Sequence, residues 1–66
     1  MTTMIPEAKF CTHQAVNGRH YGVFVVMGHR WSETVGEHIY GVVQVNEKGK
    51  PVSREMNMVE SALTAA

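Results

Sequence analysis

The sequence has no aspartate, a single cysteine, a single leucine and a single tryptophan in its 66 residues. With Cys11 as the sole thiol, no internal disulfide can form. That excludes the cross-linked scaffolds on which small secreted domains rely. The missing aspartate leaves six glutamates as the only acids, which argues against EF-hand loops and against Asp-based Mg²⁺ or phosphoryl-transfer sites. No run is apolar over the ~20 residues that a membrane-crossing helix needs. The first residues lack the basic stretch and apolar run of a secretion signal. A cytoplasmic protein without a membrane partner is expected, and the Met-Thr-Thr start reads as that of a complete short reading frame.

Charge of one sign is also lacking. Six acids balance six bases, for a formal net charge of +0. A strong attraction to nucleic acid or to an anionic membrane is therefore not expected. No glycine-rich phosphate loop is present, and no cofactor is implied. The length excludes most architectures with a deep catalytic cleft, because a domain this small buries only about 60% of its unfolded surface.

What the chain does have is valine. Half-buried strands favour valine and aromatics, whereas helical cores favour leucine, and Leu63 is alone. The expected fold is α+β and mainly β: a single domain over residues 1–66 with a loose arm at 1–7. Four strands form two β-hairpins in a small antiparallel sheet, followed by a short C-terminal helix. Strand-like residues 9–16 precede Asn17-Gly18, a dipeptide that suits a type I′ hairpin turn. The second strand is expected over His20 to Met27, with the apolar run Val23-Phe24-Val25-Val26-Met27. Residues 28–36 read as a polar link in which Ser32 caps a turn. The third strand is His38 to Val45. Asn46-Glu47-Lys48-Gly49 then turns the chain into a fourth strand from Lys50 to about Met56. Asn57 and Glu60 have the spacing of a capping box for a helix over 58–65. Starting that helix at Ser53 is the alternative. Tyr-Gly-Val occurs at 21–23 and again at 40–42, an internal echo too short to establish a repeat.

Three constellations are candidates for function. His29, Arg30 and Trp31 sit together in the polar link, and Trp and Arg dominate binding hot spots. They point to protein binding, against the alternative that Trp31 folds back to plug the end of the sheet. Lys48, Lys50 and Arg54 gather around the second hairpin and, with Tyr21, Phe24 and Tyr40, suggest a nucleic-acid surface. Cys11, His13 and His20 share one face if the chain turns at Asn17-Gly18, and Cys and His are zinc ligands. The spacing lacks CxxC or HxxxH, so this is the weakest of the three. A Cys/His nucleophile needs an oxyanion site and a groove that so short a chain has little room to build. The sequence thus points to a non-enzymatic, accessory or inhibitor-like protein that binds a protein partner or itself. A small nucleic-acid-binding β module is one alternative. A minimal ligand-binding or enzymatic oligomer with its site at a subunit interface is the other. Valine-rich strands this short leave apolar surface uncovered, so a homodimer is expected.

Overall fold

A computed structural model describes residues 5–18 and 22–66. The chain forms β1 (Ala15–Gly18), β2 (Gly22–Ser32), β3 (Glu37–Gln44), β4 (Met56–Val59), a 3₁₀ turn (Glu60–Ala62) and β5 (Leu63–Ala65). All pairings are antiparallel, and the sheet order is β4-β3-β2-β1-β5. The two outermost strands, β4 and β5, are joined by only the three residues of the 3₁₀ turn. Such a turn advances ~6 Å at ~2 Å per residue. In a flat sheet the same two strands would lie ~19 Å apart, at ~4.8 Å per strand. The sheet is therefore rolled, and its outer edges converge at that turn.

The inside of the roll is the core. Val16, Phe24, Val26, Tyr40 and Val42 are fully buried, with Phe10, His38 and Leu63 close behind. His38, Tyr40 and Val42 alternate along β3, as one face of a pleated strand requires. The Phe10 ring meets the Tyr40 ring edge-on at 5.3 Å, so residues before β1 also contribute to the core.

Several expectations are corrected. Among the described residues the sheet has five strands, and there is no α-helix. The region expected to be a helix over 58–65 is instead strand, 3₁₀ turn and strand. Eight residues cannot sustain a helix without packing. Here Met56–Val59 pairs with β3, while Leu63 is buried through pairing with β1. The side chain of Glu60 bonds to Tyr40 and Lys9, not to a helix cap. The fourth strand does not run over 50–56: Pro51 makes one isolated bridge to Val45, and β4 starts only at Met56.

The first strand is also displaced. Asn17 and Gly18 are not a turn; they pair with Val23 and Gly22. Gly18 is needed for close approach, since a Cβ there would sit 2.6 Å from Cε2 of Phe24. The strand expected at 9–16 keeps only Ala15 and Val16. Before them the chain turns at residues 11–14, where the Gln14 side chain accepts a bond from the Cys11 N–H at 2.9 Å and His13 adopts a φ of 70°. The turn at Asn46 forms as its chemistry predicts. Its side-chain oxygen accepts from the Lys48 and Lys50 N–H groups, and Gly49 takes a φ of 76°.

Candidate functional site

The stretch expected to be a polar link at 28–36 is mostly strand. β2 runs to Ser32 and pairs with β3 as far as Glu37; only residues 33–36 turn. Ser32 helps to close that turn, its Oγ accepting from the Val35 N–H at 3.3 Å and its carbonyl from the Gly36 N–H at 2.8 Å.

A β-bulge divides β2. Val26 is opposite Val42 and Gly28 is opposite Gly41, so Met27 is the extra residue. An extra residue reverses which side chains face inward. Before the bulge Phe24 and Val26 point into the core. Beyond it His29 and Trp31 share the inner face with their partners Tyr40 and His38, and Arg30 moves to the outer face with Gly28. The three residues expected to act together are thus split between two faces. Sequence reasoning missed Met27 as the cause, and the one signal for it is the glycine that follows, since an isolated glycine in a strand often marks a bulge.

The inner-face residues form a ring cluster. Trp31 meets His38 edge-on at 5.1 Å, and His29 meets His38 at 5.3 Å and Tyr40 at 5.6 Å. His38 is buried beneath the N-terminal segment, where its Nε2 donates to the Pro6 carbonyl at 2.5 Å. A carbonyl can only accept, so Nε2 carries the proton. Nδ1 of His38 is buried without a hydrogen-bond partner. His29, by contrast, is exposed.

Below this cluster the Tyr40 hydroxyl donates to Glu60 Oε2 at 2.5 Å and accepts from the Lys9 and Phe10 N–H groups at 3.0 and 3.4 Å. Burial, reinforced by the Glu60 carboxylate, holds the Tyr40 hydroxyl above its ordinary range. Partial burial alone would raise the Glu60 carboxyl. The Tyr40 hydroxyl, the Lys9 N–H and the electrostatic attraction of His38 and Lys9 outweigh it and hold that carboxyl below its ordinary range. The Tyr40 hydroxyl and Glu60 Oε2 are engaged with each other and with the backbone of residues 9 and 10. The arrangement ties the N-terminal segment, β3 and the 3₁₀ turn together.

The bulge also determines where backbone groups point. Val26 donates its N–H to the Gln14 carbonyl at 3.0 Å, and its own carbonyl accepts from the His13 N–H at 2.6 Å. Both groups of Val26 therefore point away from β3. Antiparallel ladders alternate between pairs that exchange bonds and pairs that do not. Gly28 with Gly41 is then a bonded pair, His29 with Tyr40 is not, and Trp31 with His38 is not. The N–H and C=O of His29 and Trp31 point away from β3. β1 ends opposite Val25, and among the described residues no backbone group pairs with that side of β2 beyond Val26. An open edge results, carrying two residues' worth of donors and acceptors.

The other sequence candidates do not assemble. Cys11 and His13 lie in the turn before β1, so the spacing of a strand face does not apply to them; both are exposed. His20 lies outside the described residues. No group of three metal-ligating side chains occurs among the described residues. Lys48, Lys50 and Arg54 are exposed on the Asn46 turn and the segment after it. Phe24 and Tyr40, expected to stack on bases, are buried in the core, and Tyr21 lies outside the described residues. No helix is long and apolar enough to cross a membrane among the described residues. Comparison with family models, with curated proteins and with solved structures finds no match.

Proposed function

We propose that the protein is a non-enzymatic binding module that recruits a protein partner by strand addition to β2 between Gly28 and Ser32, with His29, Arg30 and Trp31 as contact residues. The observation that carries this reading is the run of unpaired backbone groups at His29 and Trp31. Exposed sheet edges are templates for an incoming strand, and main-chain hydrogen bonds supply affinity in that mode. The ring cluster supports the reading too. Trp31 packs edge-on against His38, and His29 packs against His38 and Tyr40, which stiffens the edge and lowers the entropy lost on binding. The acid–hydroxyl pair of Glu60 and Tyr40 is occupied in holding the fold together, which fits a binding role better than a catalytic one.

The test is selection of random extended peptides displayed against the whole protein, followed by amide hydrogen exchange of the complex. The expected outcome is a set of binders that slow exchange at the His29 and Trp31 amides. Binders that protect only the segment around Lys48, Lys50 and Arg54, or no binders at all, refute the proposal.

A further inference from the structure

We infer that the occupant of this edge is an extended segment of another protein carrying an acidic side chain opposite Arg30, and not a second copy of this chain. The inference rests on the strand-addition reading above and adds the partner's chemistry to it. The register of the open edge carries the argument. Groups that point outward belong to residues 29 and 31, so the two-fold antiparallel self-pairing that uses them all matches His29 with Trp31 of the other copy. That register puts Arg30 on the symmetry axis, facing the other Arg30 in a non-bonded pair, where Cα atoms approach to ~4.5 Å. Like charges directly opposite each other are destabilising, and opposite charges are stabilising. Shifting the register by two residues in either direction relieves that contact but leaves only one of the two outward residues paired within the strand.

Arg30 is placed to receive a carboxylate. It is exposed on the outer face, and among the described residues no carboxylate forms an ion pair with it. The neighbouring floor is the cross-strand pair Gly28–Gly41, and a shallow cavity of about 340 Å³ opens there between Met27, Arg30, Glu55 and Asn57. Glu55 lies over Gly41, its Oε2 3.1 Å from where a Cβ on that glycine would be. It is on the β4 side of Arg30, whereas an incoming strand arrives on the other side. The ligand carboxylate and Glu55 would therefore flank the guanidinium, not compete for one position.

The experiment uses two blocked heptapeptides of alternating threonine and valine, one with glutamate at its centre and one with lysine. Binding to the intact protein is followed by exchange protection at the His29 and Trp31 amides. The glutamate peptide is expected to protect both and to bind about fivefold or more tightly than its lysine twin. Arg30→Gln, a surface change that keeps the strand, is expected to make the two peptides equivalent, and Arg30→Glu to reverse their order. Equal protection by both peptides with the unmodified protein overturns the inference while leaving strand addition intact. No protection by either peptide, together with no binders from the display selection, overturns both. Protection of the same amides by raising the protein concentration alone, with a doubled mass in sedimentation, overturns the inference in favour of a second copy.

Discussion

Replacing Tyr40 with phenylalanine removes one oxygen and leaves a ring of nearly the same shape in the core. The hydroxyl donates to Glu60 and accepts from two backbone N–H groups, those of Lys9 and Phe10. The Lys9 N–H keeps a second acceptor, Glu60 Oε2 at 3.2 Å, but the buried Phe10 N–H has no other partner among the described residues. A bond to a charged acceptor contributes about 1.5–3 kcal/mol, and a buried donor left unpaired costs about 1–3 kcal/mol. Allowing for overlap between them, Tyr40→Phe should cost about 2–4 kcal/mol. That is a large share of the roughly 3–10 kcal/mol that a chain of this length can be expected to have. At about 4–8 °C per kcal/mol, the thermal midpoint should fall by about 8–32 °C. Circular dichroism of both proteins through thermal and urea unfolding at pH 7 measures it. A double-mutant cycle with Glu60→Gln should return a coupling of about 1 kcal/mol or more. A Tyr40→Phe loss below about 0.5 kcal/mol, or a coupling indistinguishable from zero, would show that the hydroxyl network is not what ties the N-terminal segment to the sheet.

The same pair predicts a pH dependence. The Glu60 carboxyl is lowered from 4.5, so its contribution is complete above that value and is lost as pH falls through the lower folded-state value. The Tyr40 hydroxyl is raised from 10.0, so its contribution is complete below that value and is lost as pH rises through the higher folded-state value. The stability gap between the protein and Glu60→Gln should be flat from about pH 6 to 9 and narrow below about pH 4; a gap that widens in acid contradicts the assignment. Deleting Met27 removes the extra residue and makes the alternation in β2 regular, with Val26 still opposite Val42 and Gly28 opposite Gly41, so that His29 and Trp31 stay on the inner face and Arg30 on the outer. The expected result is a retained cooperative melt with Trp31 emission unchanged, whereas loss of cooperative unfolding or a red-shifted Trp31 emission would mean that the pairs with β3 do not set the facing beyond Val26. Gly18→Ala forces a methyl against the buried Phe24 ring at 2.6 Å and should cost about 1–3 kcal/mol in urea unfolding. A neutral result would mean that the ring can retreat. Trp31→Ala should remain folded with a loss of about 1–2 kcal/mol, since the ring is half-buried and meets His38 edge-on at one side.

Local chemistry was legible in the sequence where it acts alone. The turn at Asn46 follows from an Asn side chain that mimics a backbone acceptor and a glycine that accepts positive φ. The third strand follows from His38, Tyr40 and Val42 at a period of two, and its observed span of Glu37–Gln44 differs from the expected one by a single residue at each end. Valine in place of leucine correctly points to β structure. The candidate site was legible only as a list of names. His29, Arg30 and Trp31 stand out by type, but their division between two faces depends on the bulge at Met27, which is defined by the partner strand and not by β2. The metal candidates failed for the same reason, because their shared face presumed a turn at Asn17-Gly18 that the pairing of Gly18 with Gly22 excludes.

The sequence by itself determined a small antiparallel β protein without disulfides, because valine content, strand periodicity and cysteine count are local or additive properties. Only the tertiary structure decided what the last ten residues become. Their capping-box spacing favours a helix, but two turns of helix gain too little alone, whereas β4 gains a ladder with β3 and Leu63 gains a place in the core beside β1. Tertiary structure likewise decided that Gly18 serves the Phe24 ring and not a turn, and that β2 outruns β1, so that the backbone groups of His29 and Trp31 on the side away from β3 have no partner among the described residues. Each of these outcomes depends on which strands meet. That is a property of the rolled sheet as a whole, set by burial of a common core and not by any single segment.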